Sequence, residues 1–283
     1  MNRIGIVCDS TCDLGPAWLA EHDVRMVPLK VLFGSESYLD WIDVTPEQFY
    51  EKLAASASLP KTSQPSPADF SATYADLAES GCSEIVSIHL TSALSGTFES
   101  ATMAAADSPV PVRIVDTKTV SQATALAIKA AIETRDAGGS AKDIEAVAQN
   151  VADSSRLFFV LDTLEYLVKG GRAGKAAGLA ASVLNIKPIL TFTSEGTIEP
   201  FKKVKGLKKA MAELAQYVAS DSTDRVIRLS LLHGSAPALA EQMKDALDTA
   251  GVRYELDTVG SVGAVIGTYA GPGAVGVAYH PKS

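Results

Sequence analysis

The sequence predicts an α/β protein of two lobes, with residues 1–156 forming the first around a parallel sheet and residues 157–283 forming the second. Three observations carry this. The 283 residues are 47% hydrophobic and 20% charged, enough to bury a sizeable core and near the length at which one core becomes two. Short β-branched runs alternate with amphipathic segments, the pattern of parallel strands covered by helices. The cycle restarts at Arg156 with RLFFVLD; no repeat or low-complexity linker marks the join, so the boundary rests on pattern alone.

In the first lobe IGIVCD (Ile4 to Asp9), VRMVPLKVLF (Val24 to Phe33), EIVSIHL (Glu84 to Leu90) and VPVRIVD (Val110 to Asp116) read as strands. Two helix starts are explicit. Thr45-Pro46-Glu47-Gln48 and Ser66-Pro67-Ala68-Asp69 each place a hydroxyl at the N-cap, a proline in the first turn and an amide or carboxylate three residues on. Residues 121–137 and 140–152 are alanine-rich, broken only by Gly138-Gly139, and read as a helical pair leading out of the lobe. In the second lobe RLFFVLD (Arg156 to Asp162), NIKPILTF (Asn185 to Phe192) and RVIRLSLLHG (Arg225 to Gly234) read as strands, the proline of the second suiting an edge or a strand entry. Leu207, Met211, Leu214 and Val218 mark one helix face; Leu239, Met243 and Leu247 mark another. The chain ends in a glycine-rich segment and a strand-like AVGVAYH.

Composition excludes several function classes. A formal net charge of −8 opposes nucleic-acid binding, which needs a basic footprint. The charge is uneven: between Lys169 and Lys209 nine basic residues face only Glu195 and Glu199, a local +7 that leaves −15 elsewhere. Such a face suits an acidic partner or a phosphate; the alternative is a solvated lysine-rich helix and its flanks. Cys8, Cys12 and Cys82 have neither redox nor zinc spacing and read as buried thiols. His22, His89, His233 and His280 are scattered, so neither a metal nor any other cofactor is expected. The start of the chain is strand-like, unlike a signal peptide, and no run approaches the roughly 18 apolar residues of a membrane span, so the cytoplasm is the expected location.

Candidate chemistry lies in the loops. DSTCD (Asp9 to Asp13) follows a strand, but its carboxylates are spaced by four where aspartyl phosphotransfer uses about two; a strand end with local backbone bonding fits better. Gly271-Pro-Gly273-Ala-Val-Gly276 spells G-x-G-x-x-G, yet a strand-like run follows it where a dinucleotide loop needs a helix. The informative loops are Lys61 to Ser66 (KTSQPS) and Thr91 to Thr97 (TSALSGT), each just before a helix and the second at the carboxyl end of a strand. Hydroxyls there, together with unpaired amides at the positive end of a helix dipole, suit a carboxylate or phosphate. The competing readings are plain capping and, for Ser95, a nucleophile, although no G-x-S-x-G elbow surrounds it.

These loops and several further segments resemble the DegV family across essentially the whole chain: DSTCDL, VPLKVLF, TSQPSP, LSGTFESA, VDT, LEYLVKGGRAG, NIKPIL and IGTYAGPGAVGV occur in the family's order and spacing. The resemblance implies two α/β lobes, the C-terminal one with a mixed sheet. It also implies a cytoplasmic, non-catalytic carrier that binds a long-chain fatty acid and presents its carboxylate to a separate ATP-dependent fatty acid kinase for acyl phosphate formation. By resemblance the head group is held by Thr62, Ser95 and the Gly96 amide. Arg172 of the Gly-Gly-Arg turn engages the kinase or steadies the acyl phosphate, and Lys203 and Lys205 extend that docking surface; a solvent-facing arginine in a tight turn is the alternative. Transient contact with a membrane surface is a further expectation.

Tyr269 stands where fatty-acid-binding relatives usually carry histidine before the Gly-Pro-Gly turn. It can donate a hydrogen bond to the head group but cannot become cationic near neutral pH. A sixteen-carbon tail would supply on the order of 12 kcal/mol at about 0.8 per methylene, before ordering and association costs, so a few head contacts suffice. The small-residue run Ala176 to Ser182 either passes the tail or packs a helix closely. The alternative functions are a stand-alone Ser95-dependent acyl or phosphoryl transferase and a carrier of another small anionic lipid.

Overall fold

The computed structural model describes residues 3–179 and 186–282. The first part runs β1 (Arg3–Asp9), α1 (Pro16–Glu21), β2 (Val24–Val27), β3 (Lys30–Phe33), β4 (Glu36–Leu39), α2 (Pro46–Ala55), β5 (Lys61–Ser63), α3 (Pro67–Glu79), β6 (Cys82–His89), α4 (Thr97–Ala106), β7 (Val112–Asp116), α5 (Ser121–Asp136) and α6 (Ala141–Ser154). The second runs β8 (Arg156–Val160), α7 (Glu165–Lys169), β9 (Ile186–Phe192), β10 (Ile198–Lys205), α8 (Leu207–Asp221), β11 (Ile227–His233), α9 (Pro237–Thr249), β12 (Tyr254–Ser261), α10 (Ala264–Ala270) and β13 (Val275–Pro281).

The fold class is the expected one, two α/β lobes with a parallel and a mixed sheet. β2, β1, β6 and β7 form a parallel sheet in that order. The second sheet, ordered β10-β9-β8-β13-β11-β12, is mixed, with β11 and β12 parallel and the other pairs antiparallel. A small antiparallel sheet, β4-β3-β5, accompanies the first. The hydroxyl caps are also in place: Thr45 and Ser66 each accept from the amide three residues on, and Gln48 and Asp69 bond back to the cap amides.

Three readings change. Val24 to Phe33 is two strands in two sheets, because Pro28 has no N–H for a ladder and Leu29 donates its own to Ser10 Oγ at 3.1 Å. β9 is an interior strand, but its ladder with β8 covers only Ile189 to Thr191; Pro188 sits just before that stretch and leaves no ladder bond unmade there. Asn185, where that strand was expected to start, lies outside the described residues, as do residues 180–182 of the small-residue run. Ala176 packs with Leu161, Leu190 and Ile198.

The largest difference concerns α5. Its residues 121–132 are buried on every side, and it touches β1 and β6 of one sheet and β11 and β13 of the other. Alanine at positions 123, 125, 127, 130 and 131 lets two sheets approach one helix. This is a helix between the lobes' sheets, not one leading out of the first. It carries Lys129, whose ammonium bonds Asp257 and reaches Thr258 Oγ1 at 2.8 Å, while Arg228 Nε meets the other Asp257 oxygen at 2.7 Å. A third cluster of apolar side chains, including Val31, Phe49, Leu126, Leu157, Leu232 and Val262, is drawn from both halves of the chain.

Candidate ligand-binding site

β5 pairs with β3 at the edge of the small sheet, and this pairing (Val31 opposite Thr62) fixes where the Thr62 hydroxyl points. The segment expected to be loop at Lys61 to Ser63 is therefore a short strand. Thr62 Oγ1 lies 2.5 Å from the hydroxyl of Tyr269, near the end of α10 and 207 residues away in sequence. The Tyr269 ring rests on Gly170, where a Cβ would come within 2.5 Å of ring atom Cδ1. Glycine at that place in the Gly-Gly-Arg turn is what allows the ring to lie there.

Arg172 closes the same corner. Its guanidinium carbon is 5.2 Å from the centre of the Tyr269 ring, Nη1 donates to the Gly170 carbonyl at 2.9 Å and Nε donates to the Leu94 carbonyl at 3.4 Å. The cation is held against an aromatic face, an attraction of about 0.5–1 kcal/mol in a partly exposed setting.

The second loop meets the first through Gln64, whose Nε2 donates to the Gly96 carbonyl and to Ser100 Oγ, both at 3.2 Å. The amide lies so close to Gly96 that a side chain there would collide with it. Gly96 is the N-cap of α4 and offers no side-chain cap to that helix. Ser95 Oγ pairs with Thr97 Oγ1 at 2.9 Å. Gln64, two residues on from Thr62, thus ties this segment to the start of the ten-residue helix α4.

Thr62, Gln64, Ser95, Arg172 and Tyr269 form the polar end of a cavity of about 330 Å³, within the usual size range of small-molecule pockets; Gly96 is not among its lining residues. Its remaining wall is apolar, with Leu29, Leu90, Leu157, Phe159, Phe192 and Ile266 among the lining side chains. Arg172 is the one cation among the described lining residues. On the far side of Thr62, Tyr269 and Arg172 lies an open polar groove bounded by Lys61, Glu165 and Lys169, so these three side chains separate an apolar interior from solvent.

The chain belongs to the DegV family. The family's model matches residues 3–282. A DegV domain-containing protein of Streptomyces coelicolor is 36% identical over 279 residues, 97% of each chain. Among solved structures, a DegV family protein of Thermus thermophilus, studied for fatty acid binding, superposes with a TM-score of 0.92 at 33% identity, covering 99% of this chain and all of the other. DegV of Bacillus subtilis, a fatty acid binding protein, gives 0.90 at 30% identity over the full length of both.

In this DegV-family chain Thr62, Ser95, Tyr269 and Arg172 line one cavity, Gly96 lies beside them with its carbonyl held by Gln64, and Lys203 and Lys205 lie apart. The two lysines are exposed on β10, an edge strand of the mixed sheet, and neither forms an ion pair with a described residue. Their basic neighbours are largely engaged: Lys175 with Glu199, Lys187 with Asp162, and Lys202 and Lys209 with Glu213. Lysines on a free edge also keep other strands from pairing with it. What sequence reasoning missed was the inward reach of Arg172 and the bridging role of Gln64; the second was visible as the one amide side chain inside TSQPS.

A different set of residues has the connectivity of a catalytic triad without its access. Asp9 Oδ2 is 3.0 Å from His89 Nδ1, and His89 Nε2 is 2.7 Å from Ser87 Oγ. All three are buried, and the Tyr74 hydroxyl donates to Ser87 at 2.9 Å. Asp9 also accepts the amides of Thr11 and Leu90, so the set ties β1 to β6, consistent with a strand end bonding its own backbone. The Gly271 to Gly276 segment has α10 before it and β13 after it, the reverse of a dinucleotide loop. Cys8, Cys12 and Cys82 are buried free thiols, and no helix among the described residues is long and apolar enough to cross a membrane.

Proposed function

We propose that this protein binds a long-chain fatty acid, with the tail in the apolar cavity and the carboxylate among Thr62, Tyr269, Ser95, the Gly96 amide and Arg172. The observation that carries it is the cavity itself: a largely apolar wall ending in hydroxyls and, among the described lining residues, a single cation, which fits a single-chain amphiphile with one negative charge. The fatty-acid-binding structures of the Thermus and Bacillus relatives support the same ligand. Of the other anionic lipids, a two-chain phospholipid would need a larger space than about 330 Å³.

In this reading the protein is a carrier that hands the carboxylate to a separate ATP-dependent kinase for acyl phosphate formation. Thr62, Tyr269 and Arg172 face both the cavity and the open groove, so a phosphoryl donor can approach a carboxylate held by them. Lys203 and Lys205 provide unpaired positive charge for such a partner. A Ser95 nucleophile is disfavoured, because Ser95 Oγ bonds Thr97 and no described histidine is bonded to it. The test is solvent extraction of the purified protein followed by mass spectrometry. One equivalent of a long-chain fatty acid is expected; a stoichiometric non-lipid ligand, or failure of the stripped protein to take up palmitate, overturns the reading.

A further inference from the structure

The helix that carries Tyr269 is gripped at both ends by the first lobe. At its start α10 has no side-chain cap of its own, Gly263 being the N-cap. Its first amides, which lack partners within the helix, are met from far away in sequence: Gly263 N–H donates to Asp13 Oδ1 and Ala264 N–H to Asp40 Oδ1, both at 2.8 Å. At its end Tyr269 meets Thr62. Asp40 directly follows β4, Thr62 lies on β5, and both strands pair with β3. One small sheet therefore holds both ends of a seven-residue helix, a strut roughly 10 Å long.

We propose that Asp13 and Asp40 are positioning residues for the fatty acid head group, seating α10 so that Tyr269 meets Thr62 and Arg172, and that their joint protonation makes this seating dependent on pH. The proposal rests on the fatty-acid reading above for its ligand and on the two amide contacts for its geometry. Asp13 also accepts from Ser121 Oγ at 2.5 Å, and Gln122 Nε2 holds the Asp13 carbonyl at 3.0 Å. Both carboxyls are buried, and Asp40 Oδ2 makes no well-formed hydrogen bond among the described residues, with the Ser10 hydroxyl nearby. The titratable groups facing them are each other, Asp9 toward Asp40, and the buried Tyr50 hydroxyl of α2 toward Asp13; neither carboxyl forms an ion pair with a described residue.

Burial, reinforced by the neighbouring carboxylates, lifts Asp13 to about 8 and Asp40 to about 7 against the pull of their hydrogen bonds. Freed into water, both would titrate near ~4. The seated arrangement thus binds more protons than an unseated one between those limits. It is favoured at the acid end of that window and loses ground as the pH rises toward 8, with no further loss above.

The experiment measures palmitate binding from pH 6 to pH 9 for the wild-type protein and for a D13N/D40N variant, which keeps carbonyl acceptors but cannot titrate. Palmitate itself is ionised throughout, so its own charge is constant. Wild-type affinity is expected to fall as the pH rises, by up to about tenfold per pH unit for each coupled proton, and the profile of the variant to be flat by comparison. In parallel, amide exchange at Gly263 and Ala264 of the wild-type protein, corrected for intrinsic rates, should speed up over the same range. Parallel binding profiles for the two proteins overturn the proposal. So does unchanged protection of the two amides, a result that stands even where the variant does not fold. Absence of palmitate binding at every pH defeats the fatty-acid reading instead, and the amide exchange then decides the seating by itself.

Discussion

The ring of Tyr269 lies on Gly170 so closely that no larger residue fits beneath it. The Gly-Gly-Arg turn and the Tyr269 position, about a hundred residues apart in the chain, are thus one structural unit. A methyl group at Gly170 must push the ring away or displace the turn. Gly170→Ala is expected to cost about 1–3 kcal/mol of stability, typical of overpacking, and to weaken palmitate binding by roughly tenfold, the equivalent of about 1.4 kcal/mol. Thermal unfolding and a binding titration on the same preparation check both figures. Unchanged binding would separate Tyr269 from the head-group site.

Arg172 is the single cation lining the cavity among the described residues. Replacing it with methionine keeps much of the apolar stem and removes the charge, so affinity for palmitate should fall by about 1.5–3 kcal/mol, the range for a hydrogen bond to a charged group. Affinity for hexadecanol, which has the tail without the charge, should change much less. Arg172→Lys should recover only part of the loss, because a lysine cannot keep both the guanidinium fork and the stacking on Tyr269. Equal losses for the acid and the alcohol would mean that Arg172 shapes the cavity and does not read the head group.

How much of this was legible in the sequence follows from the kind of interaction that sets each feature. The caps at Thr45 and Ser66 were readable because a capping box is local, spanning four residues. The parallel strands of the first lobe were readable because burial on both faces leaves continuous apolar runs such as Ile4 to Cys8. β12 and α10 were not: β12 is an edge strand with partly exposed residues, and three of the seven residues of α10, Ala264, Gly267 and Ala270, are among the smallest. The head-group loops could be proposed from their hydroxyls, but the 2.5 Å contact of Thr62 with Tyr269 spans 207 residues and no local pattern encodes it. Lys129 shows the same limit. In an alanine-rich helix it reads as the solvated residue of an exposed face, yet its side chain is 8% exposed because Asp257 comes to it from the other sheet.

That ion pair sets a third prediction, about stability. Lys129→Met should preserve the packing of α5 while leaving the half-buried Asp257 with Arg228, at 2.7 Å, as its one remaining cation among the described residues. Loss of a sole partner would cost about 3–5 kcal/mol; with Arg228 remaining, roughly 2 kcal/mol is expected by chemical denaturation. Burial by itself would raise the Asp257 pKa, but Lys129 and Arg228 outweigh it and hold the group below its ordinary value. Its contribution is therefore present above about pH 4 and lost as the pH falls through the depressed value. The wild-type protein should lose more stability than the variant on acidification below pH 4. Matching acid profiles would show that the pair contributes nothing to the union of the lobes.

The residue at the end of α10 allows the sharpest test of the head-group site. Tyr269→His places a group with an ordinary pKa near ~6.5 beside Thr62 and beneath Arg172. In the empty site the guanidinium opposes protonation of the imidazole; a bound carboxylate favours it. Binding and proton uptake are then linked, and the gain from the imidazolium is present below the pKa of the bound form and disappears as the pH rises through it. The wild-type protein carries its own pH dependence, so the quantity to measure is the ratio of variant to wild-type affinity for palmitate. That ratio should be highest near pH 5.5 and decline toward pH 8. For hexadecanol, which offers no charge for the imidazolium, it should decline much less. A ratio that stays constant with palmitate would mean that position 269 does not touch the carboxylate, and the head group would then have to be sought along the Ser95 and Gly96 side of the cavity.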